Sequence, residues 1–488
     1  MFKRGLQILL GSNTLLLILL FGVFFFGLGS YPLQVPDEAR YAEVPREMVV
    51  TGDYLTPRLN GVKYFEKPAL FYWLQASSIE LFGMNEWSLR LWTALLAIFG
   101  CVLTYLVATR LYDRTTGLTS AGILASSALY FIMGHAITLD MAVSVFMTGT
   151  LACFLLATQS PLHTWSRFGW AMASYACVAF SVLTKGLMGL LLPGAIIFFW
   201  FCFSHQWRVL LNIYLMPGIF LFLLLSLPWH ILMQLTNPEF FQFYIVEQQF
   251  LRYFTDYASR QQPFWFFIPV ILIGMLPWSV FLPKALHHAW QQRKVSPPMM
   301  FLLIWSLLIF VFFSLSQSKL IPYVLPIFPA LAIITGHYVI KSQYSAKLLS
   351  RMGIAAIIVY FIFVITWGFL YNKTLKPVIT AVMPQVHEND EIIAYDAYFQ
   401  DLPVYTQRII TIVNPRGEIR WGTMQEDTSA WTMDIPTFWQ RWNTGDQRYI
   451  VFAQTKDEPS ILAMAEQQSQ PIIILVKTPR YFVFTNKE

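Results

Sequence analysis

Apolar runs of about 20 residues recur along the chain, separated by short polar breaks. They lie near residues 7–30, 88–111, 117–135, 140–158, 169–184, 187–204, 209–230, 263–283, 299–317, 321–341 and 350–371. Each is long enough to cross a hydrocarbon core of roughly 30 Å as a helix. The pattern predicts a polytopic α-helical membrane protein with about 11–13 transmembrane helices, the upper figure allowing for a split or re-entrant segment. From residue 373 the pattern changes. EIIAYDAYF (391–399), VYTQRIITIV (404–413), RYIVFAQT (448–455) and PIIILVKTPRYFVFTN (471–486) read as strands or a hairpin. IPTFWQRW and PSILAMAEQQ between them carry helical spacing. The expected organisation is a membrane domain over 1–372, with outer loops 31–87 and 231–262, and an α/β domain outside the membrane over 373–488.

Composition strengthens this reading: 56% of residues are hydrophobic, 12% are charged and mean hydropathy is +0.52. A soluble domain carries about 25% charged residues and cannot hide so much apolar surface. The net charge of +6 needs no nucleic acid, because Lys and Arg gather in short loops as the positive-inside bias requires. Lys3 and Arg4 place the N-terminus in the cytoplasm. The first apolar run is longer than a signal peptide's, with no A-x-A site after it, and reads as a retained span. Arg114, Arg167, Arg208, the KALHHAWQQRK run and Lys347 then fall on the cytoplasmic side, and the 31–87 and 231–262 loops and the tail on the outer side. The four cysteines, Cys101, Cys153, Cys177 and Cys202, sit in apolar runs without metal or disulfide spacing, as small core residues do.

The scarce charges concentrate on one side. VPDEARYAEVPREM (35–48) follows the first span. If 37–44 is helical, Asp37, Arg40 and Tyr41 share a face, and Pro45 ends or kinks the helix. Glu66 and Lys67 lie in KYFEKP, Asp140 in TLD, Lys185 in LTKG, Arg252 in FLRY, and Lys319 and Tyr323 in SKLIPYVLP. A single such segment fits an interfacial helix with solvated charges. Ionisable groups at membrane depth are costly, so their repetition on one face predicts a polar cavity open to an anionic, partly lipidic substrate. Arg and Lys suit a phosphate. A carboxylate beside them suits general-base work or stabilisation of positive charge on a sugar ring. There is no G-x-x-x-x-G-K-[ST] loop and no H-E-x-x-H, which argues against an ATP-driven pump or a metalloprotease. His135 reads as a hydrogen-bonding group rather than a metal ligand. A lipid-linked-sugar transporter would spread charges across both membrane halves and show internal symmetry; neither is seen.

The string DEARYAEVPREMVVTGDYLTPRLNGVKYFEKPALFYWL (37–74), with TLD, LTKG and SKLIPYVLP in order after it, resembles lipid-phosphate-dependent membrane glycosyltransferases of the GT-C class. The likeness is to the aminoarabinose transferase branch, GT83, within the dolichyl-phosphate-mannose–protein mannosyltransferase superfamily. The resemblance implies a GT-C fold and inverting transfer of a sugar from a polyprenyl (undecaprenyl) phosphate donor. In the nearest branch the acceptor is lipid A or lipopolysaccharide, at the periplasmic face of a bacterial inner membrane. The transferred group would be aminoarabinose-like, a hexosamine or a hexose, and protein or another envelope glycan is the alternative acceptor. By the same resemblance Asp37 is the catalytic carboxylate, with Glu66 as the second acid. Arg40, Tyr41, Tyr64, Lys67, Asp140, Lys185, Arg252 and Tyr323 bind substrate, Lys67 and Arg252 at the donor phosphate. No cofactor is required; a divalent metal is possible, with Glu66 as a candidate ligand. The sequence departs from the family at Ala39, where Gly is usual, and at Gln248-Gln249-Phe250-Leu251-Arg252, where the family has E-H-x-x-R. The tail is also shorter. These departures leave room for another sugar or acceptor.

Overall fold

A computed structural model describes residues 13–251, 261–370, 373–444, 447–468 and 471–487. The chain divides into two compact units. One comprises 1–30, 65–74 and 87–366; the other comprises 31–64, 75–86 and 367–488.

The first unit is helical. Among the described residues, Glu86–Leu111, Leu139–Thr158, Leu215–Thr236, Pro297–Leu315, Ile321–Lys341 and Ala346–Leu370 are long and apolar enough to cross a membrane. Arg114–Ala125 and Ala128–Gly134 are apolar enough only when taken together, and they meet at a bend of 68°, as in a broken span or a re-entrant loop. Thr14–Phe25 and Met188–Ser204 are shorter apolar helices. The expected run at 263–283 is broken into Phe267–Gly274, a turn through Pro277, and Leu282–Gln292. Proline lacks the N–H that an unbroken helix needs there. Burial sorts the spans: 94% of the apolar window of Leu139–Thr158 is buried, against 17% for both Leu215–Thr236 and Ala346–Leu370. The latter two expose Phe220, Leu224, Ile354, Ile358 and Ile362, which suits a lipid solvent and not water. Two large polar side chains inside the bundle are matched. Arg90, fully buried, donates from Nη1 to the Leu28 carbonyl at 2.7 Å, and Trp305 donates from Nε1 to the Pro326 carbonyl at 2.8 Å. Each match avoids the several-kcal/mol cost of an unsatisfied polar group in hydrocarbon.

The second unit joins the loop after the first apolar helix to the tail. The loop contributes the helix Asp37–Thr51 and a hairpin of β1 (Arg58–Leu59) and β2 (Val62–Lys63). The tail folds as a six-stranded mixed sheet of β3 (Glu391–Tyr395), β4 (Thr411–Val413), β5 (Thr432–Met433), β6 (Tyr449–Gln454), β7 (Ile473–Lys477) and β8 (Tyr481–Thr485), in the order β5-β4-β3-β6-β8-β7. Strands β3 to β6 pair in parallel, and β8 runs antiparallel to both β6 and β7. Ile393, Val451, Phe482 and Phe484 pack against Phe438, Trp439 and Trp442 of the helix Ile435–Thr444. Two expected strands are shorter than the sequence implied. Residues 401–406 form a helix, and Gln407 at φ 54° turns the chain before β4. Asp396, at φ 52°, ends β3. Strand β5 was not expected. Specific bonds tie loop to tail. The Asn60 side chain and the Ile410 backbone exchange a reciprocal pair at 2.9 and 3.0 Å, Arg58 donates to Glu426 at 2.8 Å, and the Leu33 amide donates to the Tyr405 hydroxyl at 2.9 Å.

Candidate active site

The helix Asp37–Thr51 carries the first group of predicted residues. Of the two outcomes the sequence allowed at Pro45, an end or a kink, the helix does not end there. Proline inside a helix costs about 3 kcal/mol. Here Val44, Pro45 and Met48 are buried, and Arg46 ties back to Glu43 across the proline. The stop comes instead at Gly52, at φ 73°, whose N–H donates to the Met48 carbonyl; only glycine takes that backbone conformation cheaply.

The expected shared face is present. The Arg40 guanidinium lies 5.1 Å from the Tyr41 ring centre, its Nη2 pairs with Asp37 and its Nη1 pairs with Glu418 of the tail. The Asp37 side chain is 60% exposed, whereas those of Arg40 and Glu418 are each 12% exposed. Arg40 is therefore a fixed strut, and Asp37 is the carboxylate that faces outward. Burial works against the Arg40 charge, but Tyr64, Tyr41, Glu418 and Asp37 around it outweigh burial and hold the group well above its ordinary range. Tyr64 is buried, with its backbone N–H on the Pro57 carbonyl at 2.9 Å. Glu38 turns back and accepts from the Gln34 amide at 2.8 Å.

Three ionisable side chains on the same helix did not figure in the sequence reading. Arg46 donates to both oxygens of Glu43, at 2.7 and 2.6 Å, with side-chain exposures of 6% and 0%. Glu47, also buried, accepts from the Gly61 amide at 2.9 Å. Burial and the neighbouring Glu43 charge hold the Glu47 carboxyl well above the usual carboxylate range. Glu43 and Arg46 repeat the acid-x-x-Arg spacing of Asp37 and Arg40, which was the available signal. Glu418 gave none.

In the helical unit, Asp140 at the start of Leu139–Thr158 pairs with Lys185 at the end of Trp165–Lys185. The Lys185 ammonium lies 4.6 Å from the Tyr323 ring centre, within range of a cation–π attraction. Three predicted residues thus meet. Gly186 follows at φ 88°, and a Cβ there would fall 2.6 Å from Gln249 Nε2 and 2.7 Å from Tyr244 Oη. Gln249, at the family's histidine position, accordingly packs over the glycine next to Lys185. Beside it runs an apolar groove of about 280 Å³ lined by Gly186, Leu187, Leu223, Leu227, Phe240 and Tyr244 among others. Lys67 donates from Nζ to the Glu66 carbonyl at 2.8 Å. Lys319 donates to the Ser316 carbonyl at 2.5 Å. His135 bonds the Phe131 carbonyl at 2.8 Å and packs against Phe24 and Phe131. Arg252 lies outside the described residues. Among those described, no cluster of three His, Cys, Asp or Glu side chains could hold a metal ion.

Comparison with known proteins bears on this geometry. The profile of the dolichyl-phosphate-mannose-protein mannosyltransferase family matches residues 66–232, and that of the aminoarabinose transferase C-terminal domain matches 378–486. An undecaprenyl phosphate-alpha-4-amino-4-deoxy-L-arabinose arabinosyl transferase of Erwinia tasmaniensis is 30% identical over 368 residues, 72% of this chain and 66% of the relative. The enzyme of that name from Aeromonas hydrophila is 33% identical over 64% of this chain and 58% of its own length. The chain thus spans less than two thirds of the length of the curated relatives it matches. The crystal structure of ArnT from Cupriavidus metallidurans bound to undecaprenyl phosphate superposes with a TM-score of 0.83 at 25% identity, covering 97% of this chain and 98% of that one. An oligosaccharyltransferase from Archaeoglobus fulgidus shares the fold alone, with a TM-score of 0.55 at 13% identity over 92% of this chain and 70% of that one. Fold and matches together define the class, that of the GT-C membrane glycosyltransferases. Within it the chain belongs to the aminoarabinose-transferase-like family.

Proposed function

We propose that the protein is an inverting glycosyltransferase that moves a sugar of the 4-amino-4-deoxy-arabinose class from undecaprenyl phosphate to lipid A or lipopolysaccharide. It would work at the periplasmic face of a bacterial inner membrane, with the N-terminus in the cytoplasm and the tail in the periplasm. The observation that carries the reading is Asp37: a carboxylate left 60% exposed at the start of a helix whose neighbouring arginine is held rigidly. An acceptor oxygen attacks the anomeric carbon, the bond to the donor phosphate breaks, and its electron pair leaves with polyprenyl phosphate. Positive charge grows on the ring in between, and Asp37 stabilises it. A phosphate acceptor is already an anion, so Asp37 then orients it; a hydroxyl acceptor needs Asp37 to take its proton. Arg40, Tyr41 and Tyr64 bind the sugar. Lys67 and Arg252 hold the donor phosphate, and Asp140, Lys185 and Tyr323 bind it nearby. The apolar groove beside Gly186 suits a polyprenyl chain. Glu66 is the second acid.

The glutamine at 249 favours a second reading, in which the same chemistry serves a different sugar or a protein or glycan acceptor. Mass spectrometry of lipid A from the host, with and without the gene, tests the first reading. The expected result is loss of an aminopentose mass on deletion, restored by the parent chain but not by Asp37→Asn. Unchanged lipid A overturns it and moves the search to envelope proteins and other surface glycans.

A further inference from the structure

Glu418 is separated from Arg40 by 378 residues, yet the two form an ion pair. We propose that Glu418 is a positioning residue for the transfer reaction: it takes one end of the Arg40 guanidinium and thereby leaves Asp37 with uncompensated negative charge. The proposal rests on the reading of Asp37 as the reacting carboxylate.

Three observations carry it. A guanidinium is planar, so the direction in which Nη1 meets Glu418 also sets where Nη2 meets Asp37. Glu418 is itself held: it follows Gly417 at φ 71° in a short turn, and its other oxygen accepts from Gln400 Nε2 at 2.9 Å. The third observation is charge. Arg40 alone with Asp37 would form a closed, neutral pair, and a guanidinium prefers to bind one carboxylate through both oxygens. Shared with Glu418, the trio carries a net negative charge, which suits an oxygen that must face a growing cation. The Arg40 Nε is buried without a hydrogen-bond partner among the described residues. The guanidinium is therefore held by its two ends and not by its stem.

Attachment of the tail to the loop does not explain this contact. The Asn60–Ile410 exchange, the Arg58–Glu426 pair and the Leu33–Tyr405 bond already provide it. Those bonds supply the control. Purified full-length parent, Glu418→Gln, Glu418→Asp, Glu426→Gln and Asp37→Asn are compared in nanodiscs with undecaprenyl-phosphate aminoarabinose and lipid A. Glu418→Gln keeps the shape and the Gln400 contact but loses the charge. It is expected to lower kcat about 10- to 100-fold, in line with the loss of one charged hydrogen bond, with KM within about 3-fold. Its melting temperature should match that of Glu426→Gln, whose kcat stays at the parent value. Glu418→Asp restores part of kcat, and adding Glu418→Gln to Asp37→Asn costs nothing more, because the residue acts through Asp37. A kcat for Glu418→Gln equal to the parent's, or a loss that tracks the melting temperature, overturns the positioning role while leaving Asp37 standing. An active Asp37→Asn overturns the reading of Asp37 and this proposal together.

Discussion

Asp37–Arg40 and Glu43–Arg46 are the same device twice on one helix: an acid, two residues, then an arginine. Spacing puts each pair on one helical face. Burial separates them. The Asp37 side chain is 60% exposed and its arginine is shared with Glu418, whereas Glu43 is wholly buried and accepts from both Nε and Nη2 of Arg46. The first arrangement leaves a carboxylate free to meet a ligand, and the second uses up the charge of both partners. A pair at the helix start is thus suited to chemistry, and the one a turn and a half later to holding the helix in place. Removing one member of each should damage different properties.

The largest effect is expected for Asp37→Asn. General-base or electrostatic work by one carboxylate accounts for about 10²–10⁴ in rate, so transfer should fall by that factor with the melting temperature unchanged, since the side chain is mostly exposed. Turnover and thermal unfolding of one purified sample check both halves. An inactive variant that also melts early would erase the distinction between the two pairs.

Arg46→Ala should do the reverse. Truncating one partner of a buried ion pair leaves an uncompensated charge and costs about 3–5 kcal/mol. The expected outcome is a lowered melting temperature and yield, with the fraction that folds keeping near-parent kcat. Normal stability, measured by fluorescence-detected size exclusion after heating, would show that Glu43 and Arg46 do not brace the helix.

Lys185→Met extends the comparison to the other unit, where Asp140 and Lys185 come from separate helices and both are 16% exposed. Intermediate exposure predicts an intermediate result. KM for the polyprenyl donor should rise by about 10-fold, the scale of one charged hydrogen bond, with a smaller change in kcat. An effect on kcat alone would move Lys185 from donor binding to the chemical step.

How much of this was legible from the sequence follows the same division. Long apolar runs have few physical solutions in lipid, so the helical character of this unit could be read directly; Pro277 breaks one expected run, and another is bent by 68° between Ala125 and Ala128. The Asp37, Arg40 and Tyr41 face came from periodicity, and Asp140 and Lys185 were singled out by the rarity of charge at membrane depth, though not as the pair they form. At Pro45 the sequence allowed an end or a kink, and the helix continues past it among buried neighbours. In the tail, Asp396 and Gln407 at positive φ cut strands that β-branched composition had extended. Glu418 was invisible, as no local pattern reveals a contact made across most of the chain.

The smallest effect is the most discriminating test of the braced end. In the folded state Glu47 is held well above its ordinary carboxylate range, first by burial and then by the Glu43 charge. A raised folded-state value means that the folded protein binds this proton more tightly than the unfolded chain does. The stability so gained is fully present below about pH 4.5, the ordinary glutamate range, and is lost as pH rises through the raised value. Glu47→Gln is neutral at every pH and can still accept from the Gly61 amide, the bond that Glu47 makes at 2.9 Å. The variant should therefore match the parent in acid and melt higher than it in base, the gap widening with pH to no more than a few degrees. Thermal unfolding of both proteins from pH 5 to 9 measures that gap. A flat difference would place Glu47 in water in the folded state, and the contrast between an open carboxylate at the helix start and closed ones behind it would then rest on Glu43 alone.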